Sequence, residues 1–216
     1  MKSKAAKICI AAGIVCIIGA LSLFLYNIYT SHKAGVLSQK AVNGIKEAIS
    51  SSRSVNNGSE SGGNKSAGSS GNDSAETSSE ESKDGEKSTV TVNGEEYVGY
   101  ISIPSLALEL PVMAQWSYEK LNVSSCRYSG SVETDDLVIA AHNYSSHFGF
   151  ISKLAAGDRV SFIDINGIQT DYGVVLSDTL SPASVSDMTA GEYDLTLFTC
   201  TETGLARVTV RLNKAS

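Results

Sequence analysis

Cys200 ends the run Thr196-Leu197-Phe198-Thr199-Cys200, and Arg207 follows shortly after it. His142 ends a second apolar run, Leu137-Val138-Ile139-Ala140-Ala141-His142. A thiolate is the useful form of a cysteine nucleophile, and at neutral pH it needs a neighbouring imidazole or cation. A cysteine, a histidine and an arginine at the ends of strand-like runs supply the nucleophile, the imidazole and the cation that such a site needs. The competing use of the thiol is a disulfide with Cys126, the other cysteine outside the apolar N-terminus. Cys9 and Cys16 lie inside that N-terminal run and read as small apolar fillers. There is no C-x-x-C, and His32, His142 and His147 make no metal spacing with the cysteines, so neither a metal nor a cofactor is expected.

His147 is the rival acid–base. It lies in the polar stretch Tyr144-Ser145-Ser146-His147, which places it at a solvated surface or a substrate rim. Arg211 is expected as a surface charge, and Asp135-Asp136 as a solvated turn without a calcium ligand set. Cys126, with only Arg127 beside it, is expected to be an unreactive structural thiol.

These residues need strands to position them. In the run ending at Cys200, Tyr193, Leu195 and Leu197 share one face, while Asp194, Thr196, Phe198 and Cys200 share the other. In the last run Val208, Val210 and Leu212 oppose Arg207, Thr209 and Arg211. Pairing the apolar faces inward brings Cys200 and Arg207 together outside the core. Further strands are expected at 97–103, 106–112, 136–141, 159–165 and 168–177, with a hairpin at Asn166-Gly167. Short helices are expected at 117–121 and 148–154, and a mobile loop at 178–192 that walls the site. Seven or eight strands in this length favour an all-β barrel or sandwich.

Lys2, Lys4 and Lys7 precede an uncharged run over 8–29, which is 22 residues. At ~1.5 Å per residue this covers about 33 Å, enough to cross a hydrocarbon core of roughly 30 Å. The run is too long for a cleaved signal peptide and lacks its small residues. It reads as a retained single-pass anchor with a cytoplasmic N-terminus, Tyr26 and Tyr29 at the interface, and everything beyond exported. Apolar Val36, Leu37, Val42, Ile45 and Ile49 suggest a short juxtamembrane helix over 33–49. Residues 50–88 hold 14 Ser and 6 Gly in 39 positions, the composition of a disordered tether. The expected organisation is thus 1–30 N-terminus and anchor, 31–88 juxtamembrane helix and linker, and 89–216 folded domain. That domain carries 7 Lys/Arg against 15 Asp/Glu, which excludes nucleic acid as a partner.

The folded part resembles the sortases, membrane-anchored cysteine transpeptidases of Gram-positive bacteria. TLFTC at 196–200 matches the TLxTC signature. Ile101-Ser102-Ile103-Pro104-Ser105-Leu106 is similar to an early IxIPxL segment, and Leu110-Pro111-Val112 follows it. LVIAAHN at 137–143 is similar to the stretch carrying the catalytic histidine, and FxxLxxGDxVxF occupies 150–162. The resemblance implies a closed eight-stranded β-barrel with short helices in its connections. It implies Cys200 as nucleophile, His142 as general acid and base, and Arg207 as oxyanion and backbone partner. Thr199 and Ala141 would border the substrate. The implied reaction cleaves an LPxTG-like sorting signal of a surface protein through a thioacyl enzyme. The acceptor would be an amine of a peptidoglycan precursor or a pilin lysine.

Ala141 departs from the glycine that many relatives carry before the histidine. The absence of an Asp-Pro-aromatic lid favours a housekeeping or class D-like anchoring enzyme over a pilus polymerase, and the short span from His142 to Cys200 lacks the long insertion typical of class B. The alternative from another class is a non-catalytic anchored β-domain, an adhesin or receptor, with a Cys126–Cys200 disulfide.

Overall fold

Alternate residues along the strands sort into two apolar layers, and a curved sheet separates them. The computed structural model describes residues 2–56 and 89–215. Among them are nine strands: β1 (Val90–Val92), β2 (Glu95–Ile103), β3 (Leu108–Met113), β4 (Ser125–Ser129), β5 (Leu137–Ala140), β6 (Arg159–Asp164), β7 (Gln169–Leu180), β8 (Leu195–Cys200) and β9 (Arg207–Lys214). Eight of them follow one another as β2-β3-β4-β5-β8-β9-β7-β6, and β6 returns to β2, so the expected eight-stranded barrel closes. Only β1 stands outside the ring, as a hairpin partner of β2. Closure passes through Gly99, whose φ of +153° suits glycine, and a Cβ there would run into the Ile163 carbonyl.

The inner layer includes Ile101, Val112, Ile139, Leu195, Leu197 and Val210, all sealed inside the barrel. The outer layer lies on β3, β4, β5 and β8, with Met113, Cys126, Val138, Ala140 and Phe198 facing out. Helix α1 (Lys2–Asn56) covers part of it with Ala41, Ile45 and Ile49. Two short helices, α2 (Tyr118–Leu121) and α3 (Val185–Met188), cover more with Leu121 and Met188.

Helix α1 differs from the expected span plus separate short helix. It runs without a break from the apolar run to Asn56. No proline interrupts it, and the buried positions Ala34, Ser38, Ala41, Ile45 and Ile49 recur at three- and four-residue spacing on the face toward the barrel. Earlier in the same helix, Ile14, Leu21, Phe24 and Leu25 are exposed. This apolar half is long enough to cross a membrane. The barrel meets the helix directly along residues 34–49, and residues 50–56 of the expected tether are the helix's last turns. Residues 57–88, the rest of that tether, lie outside the described residues.

Candidate active site

Strand register brings the chemistry together. β5 and β8 run parallel, with Val138 opposite Thr196 and Ala140 opposite Phe198. The ladder continues past β5, since the Ala141 N–H donates to the Phe198 carbonyl at 3.2 Å. Two residues beyond each member of the Ala140–Phe198 pair stand His142 and Cys200, at the same edge of the barrel. On the other side β9 runs antiparallel, and Cys200 is directly opposite Arg207. Cys200 and Arg207 are thus cross-strand neighbours, and His142, two residues past the end of β5, stands beside them at the same edge. All three line one groove of about 190 Å³.

The histidine side of the groove is half-buried. Burial pulls the His142 imidazole below the ordinary histidine value, because the cation would lose hydration there. The neutral ring is therefore the resting form near pH 7. The Thr199 hydroxyl donates to the Ala141 carbonyl at 2.8 Å in a buried bond. Thr199 and Ala141, the two expected substrate neighbours, thereby tie the Cys200 strand to the residue before His142, and both line the groove. On the far side, Arg207 Nη1 donates to the Ala206 carbonyl at 3.2 Å and faces that of Gly204 at 3.4 Å. These contacts fold the guanidinium against its own turn. Its Nε and Nη2 make no hydrogen bond among the described residues.

The groove walls are apolar and aromatic. Trp116, Tyr118, Leu121 and Tyr128 form one side, Pro182, Val185 and Met188 the other, and Phe198 the floor. The rings support each other, Trp116 against Tyr128 and Tyr128 edge-on to Phe198, both with centroids 5.2 Å apart. The segment expected to wall the site does so. A second hollow of about 330 Å³ lies on the other flank of Cys200 and is more polar, with Asn143, Ser152, Thr201, Glu202 and Thr203 among its residues. The thiol stands between an apolar groove and a polar one.

Residues 101–215 match the family model described as Sortase domain, which is over half of the chain. The chain belongs to the sortase family. It is similar to Sortase A of Bacillus anthracis, 28% identical over 123 residues, covering 53% of this chain and 57% of that protein. The chain thus spans a little over half the length of that relative. In fold it is similar to sortase C1 of Streptococcus agalactiae, with a TM-score of 0.52 and 26% identity over 58% of this chain and 71% of that one. Sortase C1 of GBS pilus island 1 aligns with a TM-score of 0.49 and 22% identity, over 56% of this chain and 64% of that one.

Three expectations for this sortase domain are corrected by the packing. The Cys126–Cys200 disulfide is excluded, since both thiols are free. Cys126 pairs with Ala140, and Ala140 with Phe198, so two strand spacings, about 9–10 Å, separate it from the Cys200 strand. His147 is not a solvated rim residue but only 1% exposed, because α1 covers it. Burial first, then the charge of His142, pushes its imidazole down to about 4, so it stays neutral at neutral pH. Arg211 is not a surface charge but 5% exposed. Its guanidinium donates to the Asp187 carbonyl at 3.0 Å and to Thr196 Oγ1 at 3.1 Å, reaches the Met188 carbonyl at 3.4 Å, and pairs with Asp178 at 3.9 Å. It pins the α3 wall of the groove onto β8 and β9. Sequence spacing gave no sign of this, because the partners are backbone carbonyls distant along the chain. Cys126, expected as an unreactive structural thiol, lies in β4 and is fully buried, and burial pushes its thiol up to about 12. No group of three His, Cys, Asp or Glu able to hold a metal occurs among the described residues.

Proposed function

We propose that this chain is a membrane-anchored cysteine transpeptidase that cleaves an LPxTG-like sorting signal and joins the released carboxyl end to an amine. The grouping of His142, Cys200 and Arg207 at one barrel edge carries the reading. The Cys200 thiol first gives its proton to the neutral His142 imidazole, and the thiolate so formed attacks the backbone carbonyl carbon of the signal, whose oxygen takes up the negative charge. The two free edges of the Arg207 guanidinium are suited to that oxygen and to the neighbouring peptide backbone. The C–N bond then breaks, and the His142 imidazolium gives its proton to the leaving amine nitrogen. The product is a thioester on Sγ. An incoming amine attacks the same carbon, loses its proton to the now neutral His142, and expels Cys200 as thiolate, which takes that proton back.

The apolar groove suits the Leu and Pro of such a signal, and the polar hollow on the opposite flank suits the incoming amine. The amine belongs to a peptidoglycan precursor or a pilin lysine, and the donors are surface proteins bearing the signal. The apolar half of α1 crosses the membrane with Lys2, Lys4 and Lys7 inside, which leaves the barrel outside. Anchoring to the wall in the manner of a housekeeping or class D-like enzyme is the favoured assignment. The full chain in detergent, incubated with an LPxTG-like peptide library and glycinamide, should yield amide-joined products. Intact mass should show a hydroxylamine-sensitive adduct on Cys200. A library left uncut, with no adduct, would sink the reading.

A further inference from the structure

Among the described residues no carboxylate bonds to His142. Among the described residues its ring makes no hydrogen bond, and its nearest ring neighbour is Tyr144, with centroids 5.0 Å apart. Tyr144 rests in turn on His147 at 5.5 Å, and its carbonyl accepts the His147 N–H at 2.9 Å. Behind His147 stands α1. Ser38, 2% exposed, places its Oγ 3.2 Å from His147 Nε2 and 2.8 Å from the Val123 carbonyl. A hydroxyl has one proton and a carbonyl can only accept, so the Ser38 proton goes to Val123. Oγ must then accept from Nε2–H, which fixes the His147 tautomer. Consistently, Nδ1 is buried without a partner.

The loop after His142 is held at a second point. The Ser146 hydroxyl donates to the Ser31 carbonyl at 2.8 Å, and the Ser31 and Ser145 hydroxyls meet at 3.1 Å. Gly35 permits this approach, since a Cβ there would come within 2.9 Å of Ser146 Cβ. Two turns of the helix thus grip one short loop.

We propose that Ser38 and His147 are positioning residues for His142, so that α1 orients the acid–base histidine through the stack Ser38–His147–Tyr144–His142. The inference rests on His142 being that acid–base. Proton transfer tolerates little misplacement, and a shift of about 1 Å in a reacting group can cost about 10²-fold. Loss of one contact in the stack gives the imidazole that freedom without touching the peptide groove.

The test uses the full chain in detergent, with rates normalised to titrated Cys200 thiols and the LPxTG-like peptide as substrate. Ser38→Ala should lower kcat about tenfold with an unchanged KM, and move the His142 imidazole resonance in NMR spectra. Ser38→Thr keeps the hydroxyl and should restore both. Gly35→Leu wedges α1 away from Ser146 and should reproduce the loss. Lys46→Ala cuts the 2.8 Å bridge to Glu109 further along α1 and should leave kcat alone. Wild-type kcat and an unmoved resonance in both Ser38→Ala and Gly35→Leu would overturn the proposal. So would a loss that Ser38→Thr does not restore and that tracks thermal stability alone. His142→Ala run in parallel separates the two readings. Full activity there removes the acid–base assignment itself, whereas a dead His142→Ala beside unimpaired Ser38→Ala and Gly35→Leu variants removes only the positioning role.

Discussion

Strands β4 and β8 each carry a cysteine on the outer face of the same barrel, yet the two thiols have opposite fates. Cys126 lies in the outer apolar layer, on the strand that α2 packs against, and burial holds it protonated. Cys200 sits at the last position of β8, where the covering layer stops and a groove opens with His142 and Arg207 beside it. The two histidines divide in the same way. His142 faces the groove, whereas His147, five residues on, is sealed beneath α1. Residue type does not separate the members of either pair. What covers them does.

The sharpest test of this contrast exchanges the thiols' fates. Cys200→Ala should abolish both the acyl-enzyme and transpeptidation, while Cys126→Ala should keep activity and lose about 1 kcal/mol of stability. Intact-mass trapping and thermal melts read the two outcomes, and an inactive but folded Cys126→Ala would break the comparison. Next in size is the arginine pair on β9. Arg207→Ala should cost about 10²–10³ in rate by removing oxyanion stabilisation, with the melting temperature unchanged. Arg211→Ala should do the reverse in kind, raising KM and costing about 2 kcal/mol of stability, since it leaves buried carbonyls unpaired and frees α3. Hydrogen exchange should then show 181–192 losing protection.

The histidine pair adds a pH dependence. An unfolded His147 titrates near 6.5 and the folded one at about 4. Between those values the unfolded chain binds a proton that the native chain refuses. The stability linked to this site is therefore full above pH 6.5 and is lost as pH falls toward 4, by up to about 3 kcal/mol. The depressed His142 acts in the same direction. Melting curves across pH 4–7 should steepen accordingly, and His147→Gln should flatten them. The smallest expected effect is on labelling. At neutral pH iodoacetamide should modify Cys200 and leave Cys126 intact until the chain is unfolded.

Much of this was legible in the sequence. The 3.3 Å strand rise and two-residue period put Cys200 and Arg207 on one face, and the short span from Cys200 to Arg207 leaves room only for a tight reversal. Both follow from local covalent geometry, as does a run of 22 uncharged residues long enough to span a membrane. Strand β4, with the sequence Ser125-Cys126-Arg127-Tyr128-Ser129, gave no such signal. Ser124 and Ser125 are buried there only because both hydroxyls donate to the Pro111 carbonyl at 2.7 Å, a partner that pattern alone cannot supply.

Sequence by itself singled out Cys200, His142 and Arg207 for the proposed roles, because those roles depend on side-chain chemistry and on position along a strand. Tertiary structure alone decided burial. It sank His147 and Arg211, excluded the disulfide by two strand spacings, and joined the two N-terminal helical stretches into one helix docked on the active-site loop. Burial depends on which surfaces distant segments bring to each other, and polarity along one segment says nothing of a hydroxyl or carbonyl waiting on another.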